Sequence, residues 1–135
     1  MEEIQGYAFQ ITTSLPFEAT IQLATDLLRN EGFGVLTEID VKEILKKKLG
    51  LDYKPYRILG ACNPQFSHQI LELVPQVGVL LPCNVAVWDE GDHRVVAAMD
   101  PMVMSRLISQ AQVLEIAAEV SHGIRRVIEA IERSQ

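Results

Sequence analysis

Polar and apolar residues alternate from Tyr7 to Thr13 (YAFQITT), with Tyr7, Phe9 and Ile11 on one side and Ala8, Gln10 and Thr12 on the other. This is the period of a strand buried on one face. The period then lengthens. In SLPFEATIQLATDLLRNEG (14–32), Phe17, Ile21, Ala24 and Leu28 recur at helical spacing, Pro16 suits a first helical turn and Gly32 a C-terminal stop. FGVLTEI from Phe33 reads as a second strand. Asp40 followed by Glu43 makes a capping-box-like start for a short helix that carries Val41, Ile44 and Leu45 and ends near Gly50.

After the turn-like GLDYKP, residues 56–62 (YRILGAC) read as a strand, and Asn63-Pro64 opens a helix that buries Phe66, Ile70 and Leu73 before Pro75 stops it. LLPCNVAVW (80–88) and HRVVAAM (93–99) read as strands joined by the charged turn DEGD, a hairpin signal. Alternation over 80–88 puts Leu81, Cys83, Val85 and Val87 on one face and Leu80, Pro82, Asn84, Ala86 and Trp88 on the other. From Asp100-Pro101 the chain turns helical: a short piece over MVMSRLI, then a long helix from Val113 to Arg133. Its apolar stripe is Leu114, Ala117, Val120, Ile124, Val127 and Ile131, with Gly123 a weak point within it. The order β-α-β-α-β-α-β-β-α predicts an α+β fold of about five strands in a single domain, 1–135.

Composition narrows the function classes. Apolar residues at 48% and charged residues at 22% describe a chain that folds by itself. A net charge of −6 argues against a phosphate-neutralising nucleic-acid surface. The N-terminus MEEIQGYAF lacks the basic-then-apolar order of a signal peptide, and the longest uncharged stretch, Leu73 to Trp88, is short for a bilayer and broken by Pro75 and Pro82. The expectation is a cytoplasmic protein with no membrane or nucleic-acid partner, whose two cysteines stay reduced.

The polar residues inside apolar stretches are the candidates for chemistry. Asn63 has a structural task as a helix cap, whereas Asn84, inside a strand, has none, and an unsatisfied amide on a buried face would cost about 1–3 kcal/mol. Cys62 precedes a helix N-terminus that stabilises thiolate, and the nearest base in sequence is His68. Cys83 sits among aliphatic neighbours and reads as core. His68, His93 and His122 are too scattered for a closed zinc site, and a site assembled from Cys62, His68 and Asp100 would need the fold to bring them together. Asp100 precedes a proline and reads as an N-cap. Glu38 and Asp40 form a second acidic pair, and Lys46-Lys47-Lys48 read as the wet face of a short helix.

Four stretches taken together, GFGVLTEIDVK, YRILGACNP, LLPCNV and MDP, resemble the bacterial and archaeal family called domain of unknown function 302, over nearly the whole chain. The resemblance implies a fold like that of the TATA-binding protein, a curved antiparallel sheet with helices packed against it, and a homodimer. It names Glu38, Asp40, Lys42, Cys62, Asn63, Pro64, His68, Pro82, Cys83, Asn84, Asp100 and Pro101 as motif residues without assigning them a reaction. Three functions remain open. One is a binding or accessory domain with a small polar or anionic ligand near the ends of the strands over 56–62 and 80–88, held by Cys62, Asn63, His68, Cys83, Asn84 and Asp100 without cofactor or metal. A second is a thiol- or metal-dependent enzyme using Cys62 or Cys83 with His68, and a third is a homodimer that works through its surface.

Overall fold

The strand-period segments pair into one open antiparallel sheet, seen in a computed structural model that describes residues 1–134. Its strands are β1 (Glu2–Ile4), β2 (Ala8–Thr13), β3 (Gly34–Asp40), β4 (Tyr56–Cys62), β5 (Cys83–Asp89) and β6 (Arg94–Met99), in the spatial order β1-β2-β6-β5-β4-β3. The sixth strand is β1, which sequence reading left out. Gln5 and Gly6 both have positive φ (46° and 75°), and Tyr7 N–H donates to Ile4 C=O at 2.9 Å. That turn reverses the chain so that Ile4 pairs with Ala8, and the Gly6 signal is easily passed over because the strand before it has only three residues.

The register sorts side chains cleanly. Arg57, Leu59 and Ala61 of β4 lie opposite Val87, Val85 and Cys83 of β5, while Tyr56, Ile58 and Gly60 lie opposite Trp88, Ala86 and Asn84. The first set faces two helices, α1 (Phe17–Asn30) and α5 (Ala111–Arg133), and, Arg57 apart, forms the main core with Phe9, Ile11, Val96 and Ala98. α1 contributes Ile21, Ala24 and Leu28, and α5 contributes Val120, Ile124, Val127, Ile128 and Ile131. The predicted faces of α1 and of the strand over 80–88 are those observed. Two details of that strand differ. It begins at Cys83, and Leu80, expected to open it, instead closes a 3-10 helix over Pro75–Leu80 that has no counterpart among the predicted elements. Tyr7 is also half-exposed, outside the strand.

The remaining helices are α2 (Val41–Leu49), α3 (Pro64–Leu73) and α4 (Val103–Leu107). α3, the 3-10 helix, α4 and the first turns of α5 enclose a satellite core of Ile70, Val77, Met104 and Val113. Phe66 and Leu73 are only half-buried, and Leu114 is exposed. The start of α5 packs on α4 and α3 through Val113 rather than on the sheet, so its buried stripe begins one residue before the predicted one. α2 departs furthest from expectation. Its cap is as predicted, with Glu43 N–H donating to Asp40 Oδ1 at 3.0 Å, yet none of its residues is buried.

α5 runs unbroken through Gly123. A methyl group there would come within 3.1 Å of Cε2 of Phe33, itself buried. The glycine therefore serves close packing of α5 on the turn after α1, at the usual helix cost of about 1 kcal/mol. Gly123→Val is expected to lower stability by about 1–3 kcal/mol through overpacking. Urea titration should show a lower midpoint at unchanged slope.

Candidate functional site

Cys62 closes β4 and Asn63 follows it as the cap of α3, so the two are positioned by a strand end running straight into a helix. Phe66 N–H donates to Asn63 Oδ1 at 3.4 Å, and Cys62 Sγ lies 3.2 Å from Ser67 Oγ. Cys83 starts β5 directly opposite Ala61. Cys62, Asn63 and Cys83 do meet. With Ser67, Phe33 and Met104 they line a cavity of about 20 Å³ beneath α3. That volume admits about one water molecule, and small-molecule pockets run to about 300–1,000 Å³.

The other three candidates lie elsewhere. His68 points out of α3, three-quarters exposed, with Nε2 3.6 Å from Glu72 Oε1. Asn84 projects from the opposite face of the sheet, beside Gly60, and is exposed, so its amide is hydrated and needs no protein partner. Asp100 follows β6 and knits three elements: its Oδ1 accepts from Met102 N–H (3.0 Å) and Ser121 Oγ–H (2.8 Å), and its own N–H donates to Tyr7 C=O (2.8 Å). It caps the turn before α4 rather than the helix itself, whose cap position is Met102. Among the described residues, no three His, Cys, Asp or Glu side chains stand together as a metal-ligand group.

The acidic pair Glu38 and Asp40 is held by a residue that sequence reading passed over. Arg57, projecting from β4, bridges Glu38 Oε1 and Glu18 Oε1, both at 2.9 Å, with Asp40 Oδ2 at 3.9 Å, and lies over the Phe17 ring. Lys42 Nζ donates to Asp52 Oδ1 and to Tyr53 C=O, tying α2 to the loop before β4. These motif residues fasten β3, α1 and α2 to β4, the work of capping and ion pairing.

A concavity with an uncharged lining lies on the sheet's open face. There the alternation leaves small side chains, Ala8, Ala86 and Ala97, between taller ones. Tyr7, Met99 and Val103 wall one end; Tyr56 and Trp88, stacked at 5.4 Å between ring centroids and 7° between planes, wall the other. The trough measures about 470 Å³, and its lining includes the amide of Gln10 but no charged residue. Trp88 is held from behind: its Nε1–H donates to Glu90 Oε1 at 2.8 Å, and Lys54 donates to the same oxygen at 3.0 Å. The signal in the sequence was the alanines at positions 8, 86 and 97 on one face of three strands, inconspicuous because alanine is apolar without being bulky.

Fold and geometry together define a class: an α+β domain with two helices covering one face of an open six-stranded antiparallel sheet, the other face bare and apolar. Within that class the protein belongs to the family described as domain of unknown function DUF302, whose profile matches residues 9–131. It is similar to an uncharacterized conserved DUF302 protein from Bacillus stearothermophilus seen in a crystal structure, with 30% identity and a TM-score of 0.83 over 90% of this chain and 95% of that one. No functionally curated protein matches the sequence.

Burial pushes the Cys83 thiol up from its ordinary 9.0 to about 11, with Cys62 adding to the effect. Below about pH 9 folded and unfolded chains both hold the proton. Between about pH 9 and 11 the unfolded chain loses it first, so about 2–3 kcal/mol of stability drains away as pH rises. Cys83→Val should remove that part of the alkaline loss, read as the difference in urea midpoint between wild type and variant across the window. Asp100→Ala is expected to cost about 1–3 kcal/mol by orphaning the Ser121 hydroxyl and the Met102 amide, with Asp100→Asn costing less; thermal melts of the two variants check the order.

Proposed function

We propose that this DUF302 protein is a binding or accessory domain whose ligand, an uncharged small molecule carrying a flat ring, lies in the trough on the open face of the sheet. The observation that carries this reading is the lining itself: about 470 Å³ bounded by alanines, a stacked Tyr56–Trp88 pair and Met99, with no charge, in a chain where 22% of residues are charged. The stacked rings and alanine floor favour a planar apolar body, and Gln10 with the hydroxyls of Tyr7 and Tyr56 supplies neutral hydrogen-bonding groups at its edge. A polar or anionic ligand beside Cys62 and Cys83 has less support, because the cavity there is small and no cation lines it. Thiol chemistry through Cys83 is likewise disfavoured by its raised pKa and burial. The reduced state of both cysteines fits a cytoplasmic setting.

A second reading is favoured by the breadth of the apolar face, which continues past the trough through Ile58 to Ile39 on the edge strand β3. Two copies packed sheet to sheet would cover it and give the homodimer that the family resemblance implies. The single tryptophan reports on both. N-phenyl-1-naphthylamine, an uncharged ring probe, is expected to quench Trp88 fluorescence saturably, and Ala86→Leu, which fills the floor, should weaken binding by at least about tenfold, some 1.4 kcal/mol, with an unchanged melting temperature. Sedimentation velocity over a concentration series separates the readings: Ile39→Lys abolishing a dimer while sparing the quench would make the face an interface, and no quench by any uncharged ring compound would defeat the ligand.

A further inference from the structure

Lys46, Lys47 and Lys48 are the wet face of α2 that the sequence predicts, and the opposite side of the helix is not buried either. Val41 and Leu45 are half-covered, while Ile44, Leu49, Leu51 and Tyr53 stand out in solvent, with Leu49 65% exposed. Helix and following loop form a projecting tip. α2 ends at Gly50 in the left-handed region (φ 67°), and a methyl group there would meet nothing within 4 Å.

Charge is concentrated on the same tip. All five lysines of the chain fall within residues 42–54, against Glu43 and Asp52 in residues 41–54. The tip is thus +3 where the whole chain is −6, leaving −9 on the remainder. Arg57, Arg94, Arg125 and Arg126 are all paired with carboxylates, and Lys42 and Lys54 are paired with Asp52 and Glu90. Lys47 Nζ lies 3.7 Å from Glu43 Oε1, whereas Lys46 and Lys48 have no ion pair among the described residues and precede the exposed Leu49 and Leu51.

We propose that this tip docks on an anionic lipid surface, with Leu49, Leu51 and Tyr53 entering the headgroup boundary and Lys46, Lys47 and Lys48 over the lipid phosphates. Projecting aliphatic residues next to a tyrosine, ringed by flexible lysines, match the depth profile of a bilayer interface. The polarity of the molecule helps: an anionic surface attracts the +3 tip and repels the −9 remainder, so only one orientation brings the chain to the surface. A symmetric contact between two tips would set lysines against lysines. The contact is peripheral, since no helix of the described residues is long and apolar enough to cross a membrane.

The test is co-sedimentation of the full chain with vesicles of phosphatidylglycerol and phosphatidylcholine in equal parts, beside vesicles of phosphatidylcholine alone. The protein is expected to pellet with the anionic vesicles only and to be released by high salt. Lys46→Glu with Lys48→Glu should weaken binding by at least about fivefold for each charge. Leu49→Ser with Leu51→Ser should weaken it without changing its salt dependence. All four side chains are exposed, so circular dichroism should show the fold intact, and Ala86→Leu, in the trough, should bind vesicles as the wild type does. Failure to pellet with anionic vesicles, or equal pelleting of the lysine variant, would overturn the proposal. So would an oligomer that the leucine variant dissolves in the absence of lipid, which would assign the tip to a protein partner.

Discussion

Everything in this structure follows from one sheet face being covered by two helices while the other face has no helix layer. Strand side chains alternate with period two, so a six-stranded sheet presents two full surfaces, and α1 and α5 are enough to bury one. The covered face takes the branched and aromatic residues, Phe9, Ile11, Leu59, Val85, Val87 and Val96. The bare face cannot simply become charged, because its central strands carry Ala86, Trp88, Ala97 and Met99. An apolar surface of that kind, left open in a folded chain, is the usual mark of something that binds there.

The polar residues that looked like chemistry are largely engaged in holding this arrangement. Asn63 caps α3, Asp40 caps α2 and is drawn to Arg57, and Asp100 joins the end of β6 to the start of α4 and to Ser121 on α5. Each satisfies groups that would otherwise be left unpaired where a strand passes into a helix. Their concentration at strand ends reflects the number of strand-to-helix junctions in this topology. It does not need a common substrate to explain it. Asn84, the residue with no local task in sequence, has none in the structure either, because it is simply wet.

Much of the fold was legible. The strand over Tyr56–Cys62 has the predicted bounds, Asn63-Pro64 and Asp40 cap where their side chains suggested, and the faces of α1 and β5 follow their periodicity. What escaped was short or ambiguous. β1 has three residues and exists by pairing with β2, and the 3-10 helix over Pro75–Leu80 is as apolar as a strand. Leu114 has helical spacing, but α4 and α3, rather than the sheet, lie beside the first turns of α5. Of the candidate site, Cys62, Asn63 and Cys83 came together because adjacent strands and a strand-helix junction put them there. His68 did not, since as the fifth residue of α3 it points to water.

By itself the sequence determined local matters: which segments are helix or strand, where they are capped, which side of each is apolar, and hence that the chain is α+β. Those properties depend on near neighbours, within one or two turns or strand steps. Tertiary structure alone decided which apolar sides would be covered. α2 has an apolar side as α1 does, and the sheet's open face carries apolar residues as its covered face does, and no local rule distinguishes them. The distinction comes from topology: only two helices reach across the sheet, both on the same side, so one apolar surface became core while the alanine trough and the lysine-ringed tip stayed in reach of partners.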